Sequence, residues 1–332
     1  EPVVVMRRFN LSRTLDRVVE TEDLEPTLCD ALVDEIASLQ RAAAVHKGRP
    51  GSDRITGILK MNAHGLRAGT PSVLDETRVE RLITSAQQEG QRGVPALDRR
   101  GRTGRIRRCH GDLHLGNIFL NESGRPVLFD AIEFDEDLAT IDVAYDLAFL
   151  LMDLLHRGMW APANRIWNRW LEQSLGTHGD DAAAALLPLF LSMRAAIRAE
   201  VGAAKANQQP GEDDLKIAPR TYLQDALDYL TPHSGHILAV GGLSGTGKST
   251  LARALAPHLG AAPGATILRS DAIRKRLAGV PETDRLPATG YSKEMSARVY
   301  GTLHRRAGLQ AKAARATIAD AVYGRATERR RV

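Results

Sequence analysis

Two stretches of this chain hold polar residues at spacings suited to phosphoryl-transfer chemistry. The first runs His110-Gly111-Asp112-Leu113-His114-Leu115-Gly116-Asn117-Ile118-Phe119-Leu120 and, after a turn, Val127-Leu128-Phe129-Asp130. In it Asp112 can take a proton from an acceptor hydroxyl. Asn117, five residues on, can offer an amide oxygen to magnesium, and Asp130 can offer a carboxylate to the same ion. The second stretch is Gly242-Leu243-Ser244-Gly245-Thr246-Gly247-Lys248-Ser249-Thr250. It fits G-x-x-x-x-G-K-[ST], in which glycines let successive backbone N–H groups turn toward a phosphate. A helix starting there adds its favourable N-terminal partial charge. Gly242, Ser244, Gly245, Thr246, Gly247, Lys248, Ser249 and Thr250 are the expected nucleotide contacts. Lys248 reaches the β- and γ-phosphates, and the Ser249 hydroxyl is a second magnesium ligand.

These residues need elements to carry them. Apolar runs at Ile118–Leu120 and at 127–129, joined by Asn121-Glu122-Ser123-Gly124-Arg125-Pro126, predict a hairpin. Its open end brings Asn117 and Asp130 together. A short strand at 106–109 feeds the motif. Ile237–Val240 reads as a strand leading into the glycine-rich turn, with a helix over 248–259 behind it, so the chain enters an α/β unit after 231–235. The expected domains are therefore 1–232 and 233–332. A second strand, 265–268, ends just before Asp271, where an α/β sheet presents ligand groups. Asp271 is the candidate base for a second acceptor hydroxyl, and Arg274, one turn along, a phosphate or acidic-substrate contact. A third strand at 317–322 carries Asp320, placed near magnesium through water or in a structural role.

Most of the remainder before residue 232 is helical by its apolar period. Helices are expected at 11–19, 26–44, 53–66, 74–91, 138–156, 161–175, 181–207 and 215–230. Trp160, Trp167 and Trp170 read as packing anchors. Asp142 and Asp146 are either braces for the loop bearing Asp130 or plain surface carboxylates. The basic run Arg99–Arg108 has no aromatic residues for base stacking and is expected to be a solvated loop.

The chain has 332 residues, 43% of them apolar, a net charge of +5, and 37 arginines against 8 lysines. That composition is globular, and a basic surface suits phosphorylated ligands. Cys29 and Cys109 lack disulfide or metal-site spacing and read as reduced thiols of a cytoplasmic protein. The most apolar stretches, 143–155 and 182–204, contain Asp146 and Asp153, and Arg194, Arg198 and Glu200, so neither is expected to span a membrane.

His110-Gly-Asp112 with Asn117 and Asp130 resembles the aminoglycoside phosphotransferase family, a branch of the protein-kinase-like fold. The C-terminal part resembles P-loop kinases of the zeta-toxin, gluconate-kinase and polynucleotide-kinase type. The combination is similar to bacterial bifunctional aminoglycoside phosphotransferase/ATP-binding proteins. This resemblance implies the mostly helical C-lobe of a kinase-like domain followed by a P-loop α/β domain with a parallel sheet. It implies Asp112 as catalytic base, His110 as scaffold histidine, Asn117 and Asp130 as magnesium ligands, and Asp271 as the acceptor-activating aspartate. ATP, with GTP as the alternative, and Mg²⁺ are the implied cofactors, and a small hydroxyl-bearing molecule is the implied acceptor. Nucleic acid, through 5′-hydroxyl phosphorylation, is the less favoured partner. A nucleotide sensor built on a degenerate kinase-like domain is the non-enzymatic alternative. Only residues 3–6 can belong to an N-terminal lobe, with 6–9 as hinge. Lys47 and Lys60 fall in a loop and a helix, so no lysine is placed to pair the nucleotide phosphates. The chain is accordingly expected to be a fragment, beginning mid-strand and ending before an arginine-bearing lid.

Overall fold

The computed structural model describes residues 10–46, 48, 50–173, 180–209, 211–281 and 284–330. The expected strand at 3–6, its hinge and Lys47 lie outside them.

The helices before residue 232 form because their buried positions recur every three or four residues. After a 3-10 turn capped by Asn10 and the short α1 (Leu15–Val18), α2 (Pro26–Ala42) starts with proline in its first turn and buries Cys29, Leu32, Val33, Ile36, Ala37 and Gln40. α3 (Gly51–Ala68) packs along α4 (Glu76–Arg102), whose N-cap Asp75 accepts a hydrogen bond from the Arg78 N–H at 2.8 Å. α4 outruns the helix expected at 74–91. It continues through Pro95 because Leu97 and Arg100 are anchored in the core.

That extension overturns the solvated loop expected at Arg99–Arg108. Arg100 is 1% exposed. Its Nε and Nη2 donate to both carboxylate oxygens of Asp142, at 2.6 and 2.8 Å, and its Nη1 pairs with Asp180. Burial works against the charge, and Asp142 and Asp180 more than restore it. Local sequence could not reveal this, because the partners lie 42 and 80 residues away.

β1 (Ile106–Arg108) leads into the first motif, and β2 (Ile118–Leu120) with β3 (Pro126–Leu128) forms the hairpin in antiparallel register, Ile118 facing Leu128. The single helix expected over 138–156 is instead three elements: α5 (Glu136–Ala139), β4 (Thr140–Asp142) and α6 (Val143–His156). β4 is extended because it pairs with β1, Ile106 facing Asp142. Asp142 then turns the chain into α6 by accepting the Ala144 N–H at 2.8 Å. α6 is buried from Val143 to Leu155, with α7 (Trp160–Gln173), α8 (Asp181–Gln208) and α9 (Ile217–Tyr229) around it. By length and composition α8 could cross a membrane, but most of its apolar window is buried inside this bundle.

The C-terminal part is a three-stranded parallel sheet, ordered β5 (Ile237–Val240), β7 (Thr317–Asp320), β6 (Thr266–Arg269). α10 (Lys248–Leu255) follows the glycine-rich loop, and α11 (Ser270–Ala278) and α12 (Lys293–Lys312) lie between β6 and β7 in sequence. The short α13 (Ala326–Arg329) comes last.

α7 seals the outer edge of β6. The Asn168 side chain accepts the Ile267 N–H at 2.6 Å and donates to the Ala265 carbonyl at 3.1 Å, as a neighbouring strand would. Asn164 donates to the carbonyls of Pro263 and Ala265 at 3.2 and 3.1 Å. Asp181, at the start of α8, accepts from Arg306 and Gln310 of α12 at 3.0 and 3.2 Å.

Candidate active sites

The first motif is held from below by α6. Asp146, with no exposed surface, accepts the Gly111 N–H at 2.9 Å, and Asp153, seven residues on and so on the same helix face, accepts the Leu115 N–H at 3.0 Å. Asp146 thus braces the 110–112 turn rather than the loop bearing Asp130. Gly111 has φ +84°, and a Cβ there would come within 2.9 Å of Ile132, so glycine is required at this turn. His110 is buried. Its Nε2–H donates to the Phe129 carbonyl at 2.8 Å, and its own carbonyl accepts the Ile132 N–H at 2.9 Å. The motif and the segment after β3 are thereby one unit.

On that unit the side chains of Asp112 and Asn117 meet, and Asp130 follows directly on the hairpin. The Asn117 amide nitrogen donates to the Asp112 carbonyl and to its carboxylate Oδ2, both at 2.9 Å. Its other end, Oδ1, is therefore the end suited to a hard cation. The Phe129 N–H donates to the Asn117 carbonyl at 3.1 Å, which sets Asp130 one residue past the end of the hairpin. Asp130 is exposed, with a left-handed backbone at φ +59°, a conformation that aspartate tolerates better than most residues. Two oxygen donors of this kind fit Mg²⁺, which keeps several of its own waters and needs no all-protein cage. Among the described residues no group of three or more His, Cys, Asp or Glu forms a metal site.

His114 went unnoticed in the sequence reading. Its Nδ1 accepts the Gly116 N–H at 3.1 Å, so in the neutral ring Nε2 carries the proton, and it lies 3.4 Å from Asp112 Oδ2. Burial acts to raise the Asp112 pKa, but His114, Arg194 and Asn117 outweigh it and the carboxyl lies below its ordinary range. Arg194 of α8 was also missed. It is buried, donates Nε–H to the Tyr145 carbonyl at 3.2 Å, and sits 3.9 Å above the Tyr145 ring. Burial pushes Asp146 up, and Arg194 and His110 oppose that. The available signal for both Asp153 and Arg194 was a charged residue within one of the two most apolar stretches of the chain.

The glycine-rich loop adopts the conformation its glycines allow: Gly242, Gly245 and Gly247 have φ +150°, +81° and +82°. Gly247 is the left-handed N-cap of α10. The Lys248 ammonium folds back to donate to the Leu243 carbonyl at 2.5 Å, as the Thr246 hydroxyl does at 2.8 Å. Ser244, Gly245, Thr246 and Thr250 are exposed on this loop and the helix start. Ser249 Oγ donates to Asp320 Oδ2 at 2.5 Å, uniting residues 71 apart in sequence. Asp320 sits at the C-terminal end of β7, with Val240 on one side and Arg269 on the other.

Asp271 and Arg274 part company. Asp271 is exposed in the first turn of α11, 3.8 Å from the Lys275 ammonium. Arg274 donates to the Gly290 carbonyl at 2.8 Å and Ser296 Oγ at 3.2 Å and lies 5.3 Å from the centre of the Tyr291 ring. It lines a cleft of about 630 Å³ with Tyr291, Lys293, Tyr300, Arg325 and Glu328. Asp271 does not line that cleft.

A model described as phosphotransferase enzyme family matches residues 5–186, and one described as AAA domain matches 237–332. Uncharacterized proteins of Mycobacterium bovis and Mycobacterium tuberculosis are 28% identical over 331 residues, 98% of this chain; the chain spans 64% of the length of these relatives. Among solved structures an ethanolamine kinase of Plasmodium vivax is similar with a TM-score of 0.42 and 14% identity, over 61% of this chain and 59% of that one. With a match over more than half its length, which includes the braced Asp112 and Asn117 and the hairpin to Asp130, the chain belongs to the phosphotransferase enzyme family.

Proposed function

We propose that the chain is an ATP- and Mg²⁺-dependent phosphotransferase that moves the γ-phosphate to a hydroxyl of a small molecule, with a second nucleotide site at the glycine-rich loop. The proposed domains are 1–232 and 233–332, a division supported by the gap between the end of α9 and the start of β5. The observation that carries the reading is the double hydrogen bond from Asn117 to Asp112. It orients a base and leaves the amide oxygen as the end suited to a cation.

At the first site Asp112 accepts the acceptor's hydroxyl proton as that oxygen bonds to the γ-phosphorus. The bond from phosphorus to the β–γ bridging oxygen breaks, and ADP leaves with that electron pair. A low Asp112 pKa keeps the carboxylate ready to orient the hydroxyl, and positioning supplies most of the catalysis. Asn117 and Asp130 would hold magnesium, which when bound neutralises the phosphate oxygens. At the second site Ser249 and Asp320 would hold the metal, with Lys248 moving from the Leu243 carbonyl to the phosphates. Arg274, in a cleft shared with Lys293 and Arg325, favours an anionic acceptor there, while Asp271 remains the proposed base.

The test is a screen of hydroxyl acceptors with labelled ATP on the full-length protein, run beside Asp112→Asn and Lys248→Ala. Transfer that survives Asp112→Asn but is lost in Lys248→Ala would move the chemistry to the second site. Transfer undiminished in both would sink the proposal.

A further inference from the structure

A cleft of about 410 Å³ lies between the helical bundle and the turn before β6. Leu155, Trp160, Leu191, Asp225, Asp228 and Tyr229 form one wall, and residues 260–262 of the C-terminal part form the other. Its volume is within the range of small-molecule sites.

The lining is acidic. Several acids elsewhere pair with arginine: Asp30 with Arg165, Asp34 with Arg169, Asp142 and Asp180 with Arg100, Asp181 with Arg306. No Lys or Arg lines this cleft among the described residues, and its basic side chain is His233. Asp225 bonds the His156 Nδ1 at 2.6 Å, and Asp228 accepts from Gln224 at 2.5 Å. Neither has a Lys or Arg ion pair among the described residues.

The aromatic residues point the same way. Trp167 and Trp170 are buried and stacked on each other, whereas Trp160 is 42% exposed and faces the cleft. Core packing accounts for the first two and leaves Trp160 without a partner of that kind. Burial holds the Tyr229 phenol well above its ordinary pKa, with Asp225, Tyr222 and Asp228 adding to the effect, so the ring is neutral.

We propose that this cleft binds a small organic cation, an ammonium group carried on an apolar body. Asp228 and Asp225 supply the negative field, the Trp160 and Tyr229 faces attract the ammonium, and Leu155 and Leu191 receive the apolar part. Phosphates are repelled from such a lining, and a bare metal ion finds too few oxygen donors for its shell. The two walls belong to different domains, so an occupant bridges them and stabilises their docking in proportion to its affinity.

Benzyltrimethylammonium is a suitable probe, with phenylacetate as its anionic counterpart. Calorimetric titration of the full chain is expected to show saturable binding of the cation alone, with a parallel change in tryptophan fluorescence. Asp228→Asn and Trp160→Leu alter exposed or partly exposed side chains, and unchanged circular dichroism melts would show that the variants fold. Each is expected to weaken the cation roughly tenfold, as loss of a partly desolvated charge or cation–π contact would. The proposal fails if no saturable binding occurs, if phenylacetate binds as well, or if both folded variants retain native affinity, which would place the cation elsewhere on the protein.

Discussion

The two regions proposed to handle phosphate are built in opposite ways. The glycine-rich loop needs little beyond its own residues: three positive-φ glycines, the last of them the left-handed cap, and the start of a helix shape it, and its long-range side-chain contact among the described residues is from Ser249 to Asp320. The Asp112 loop cannot be shaped locally. Its N–H groups go to Asp146 and Asp153 of α6, its histidine to Phe129, and the charge beneath it is balanced by Arg194 from α8. A loop of the first kind tolerates change in the rest of the fold. One of the second kind inherits every defect of the helical core.

The sharpest way to test that contrast is to remove the chemistry from one region at a time. Asp112→Asn keeps the Asn117 contact through the carbonyl and is expected to lower transfer at the first site by about 10²–10⁴-fold, the range of a general base. ATP affinity measured by equilibrium binding should stay near native. Lys248→Ala removes a charge-assisted contact worth about 1.5–3 kcal/mol. Nucleotide affinity at the second site should then fall on the order of 10–100-fold, with transfer through Asp112 retained.

A structural variant breaks the comparison itself. Asp146→Ala leaves the Gly111 N–H without its acceptor and removes a buried carboxylate that balances the Arg194 charge. The cost is expected to be about 3–5 kcal/mol of helical-domain stability. In chemical denaturation the helical transition should move while nucleotide binding at the glycine-rich loop persists at low denaturant. Loss of both together would mean that the docking through Asn168 and Asp181 makes the two regions one folding unit.

The smallest expected effect concerns Glu200 on α8. Burial raises its pKa from an ordinary 4.5 to about 7, and its Oε2 is buried without a hydrogen-bond partner. The folded state therefore binds the proton more tightly than the unfolded state. That contribution is fully present below about 4.5 and is lost as pH rises to about 7. Glu200→Gln should raise the melting temperature at pH 8 by the equivalent of roughly 1–2 kcal/mol, after allowing for partial solvent screening, and change it little at pH 4. Equal shifts at both pH values would assign the effect to packing against Gly65 instead.

Much of the site was legible because its chemistry depends on short spacings. Five residues separate Asp112 from Asn117, and the hairpin that follows carries its own turn signals, so the unit could be drawn before its surroundings were known. The glycine-rich loop was legible for the same reason. The helix expected over 138–156 was not, because 140–142 becomes a strand only when residues 106–108 pair with it. Arg100 looked like part of a solvated run because charge pattern reports exposure only when no distant acid is waiting in the core. Asp271 and Arg274 share a helix, yet their side chains go to different partners, which helical spacing alone did not resolve.

What the amino-acid sequence determined by itself is two motifs of candidate chemistry, the proposed base and metal ligands of the Asp112 loop and the glycine-rich phosphate loop, each encoded within about twenty residues. What only the tertiary structure decided is which charges are buried and what they hold. Asp146, Asp153, Arg194 and Arg100 acquire their roles from residues brought together across the fold, and Trp160 and Asp228 meet residues 260–262 only where the two domains dock. Spacing along a chain limits which neighbours a residue can reach locally, but the field and the solvent exposure at a side chain are set by everything packed around it.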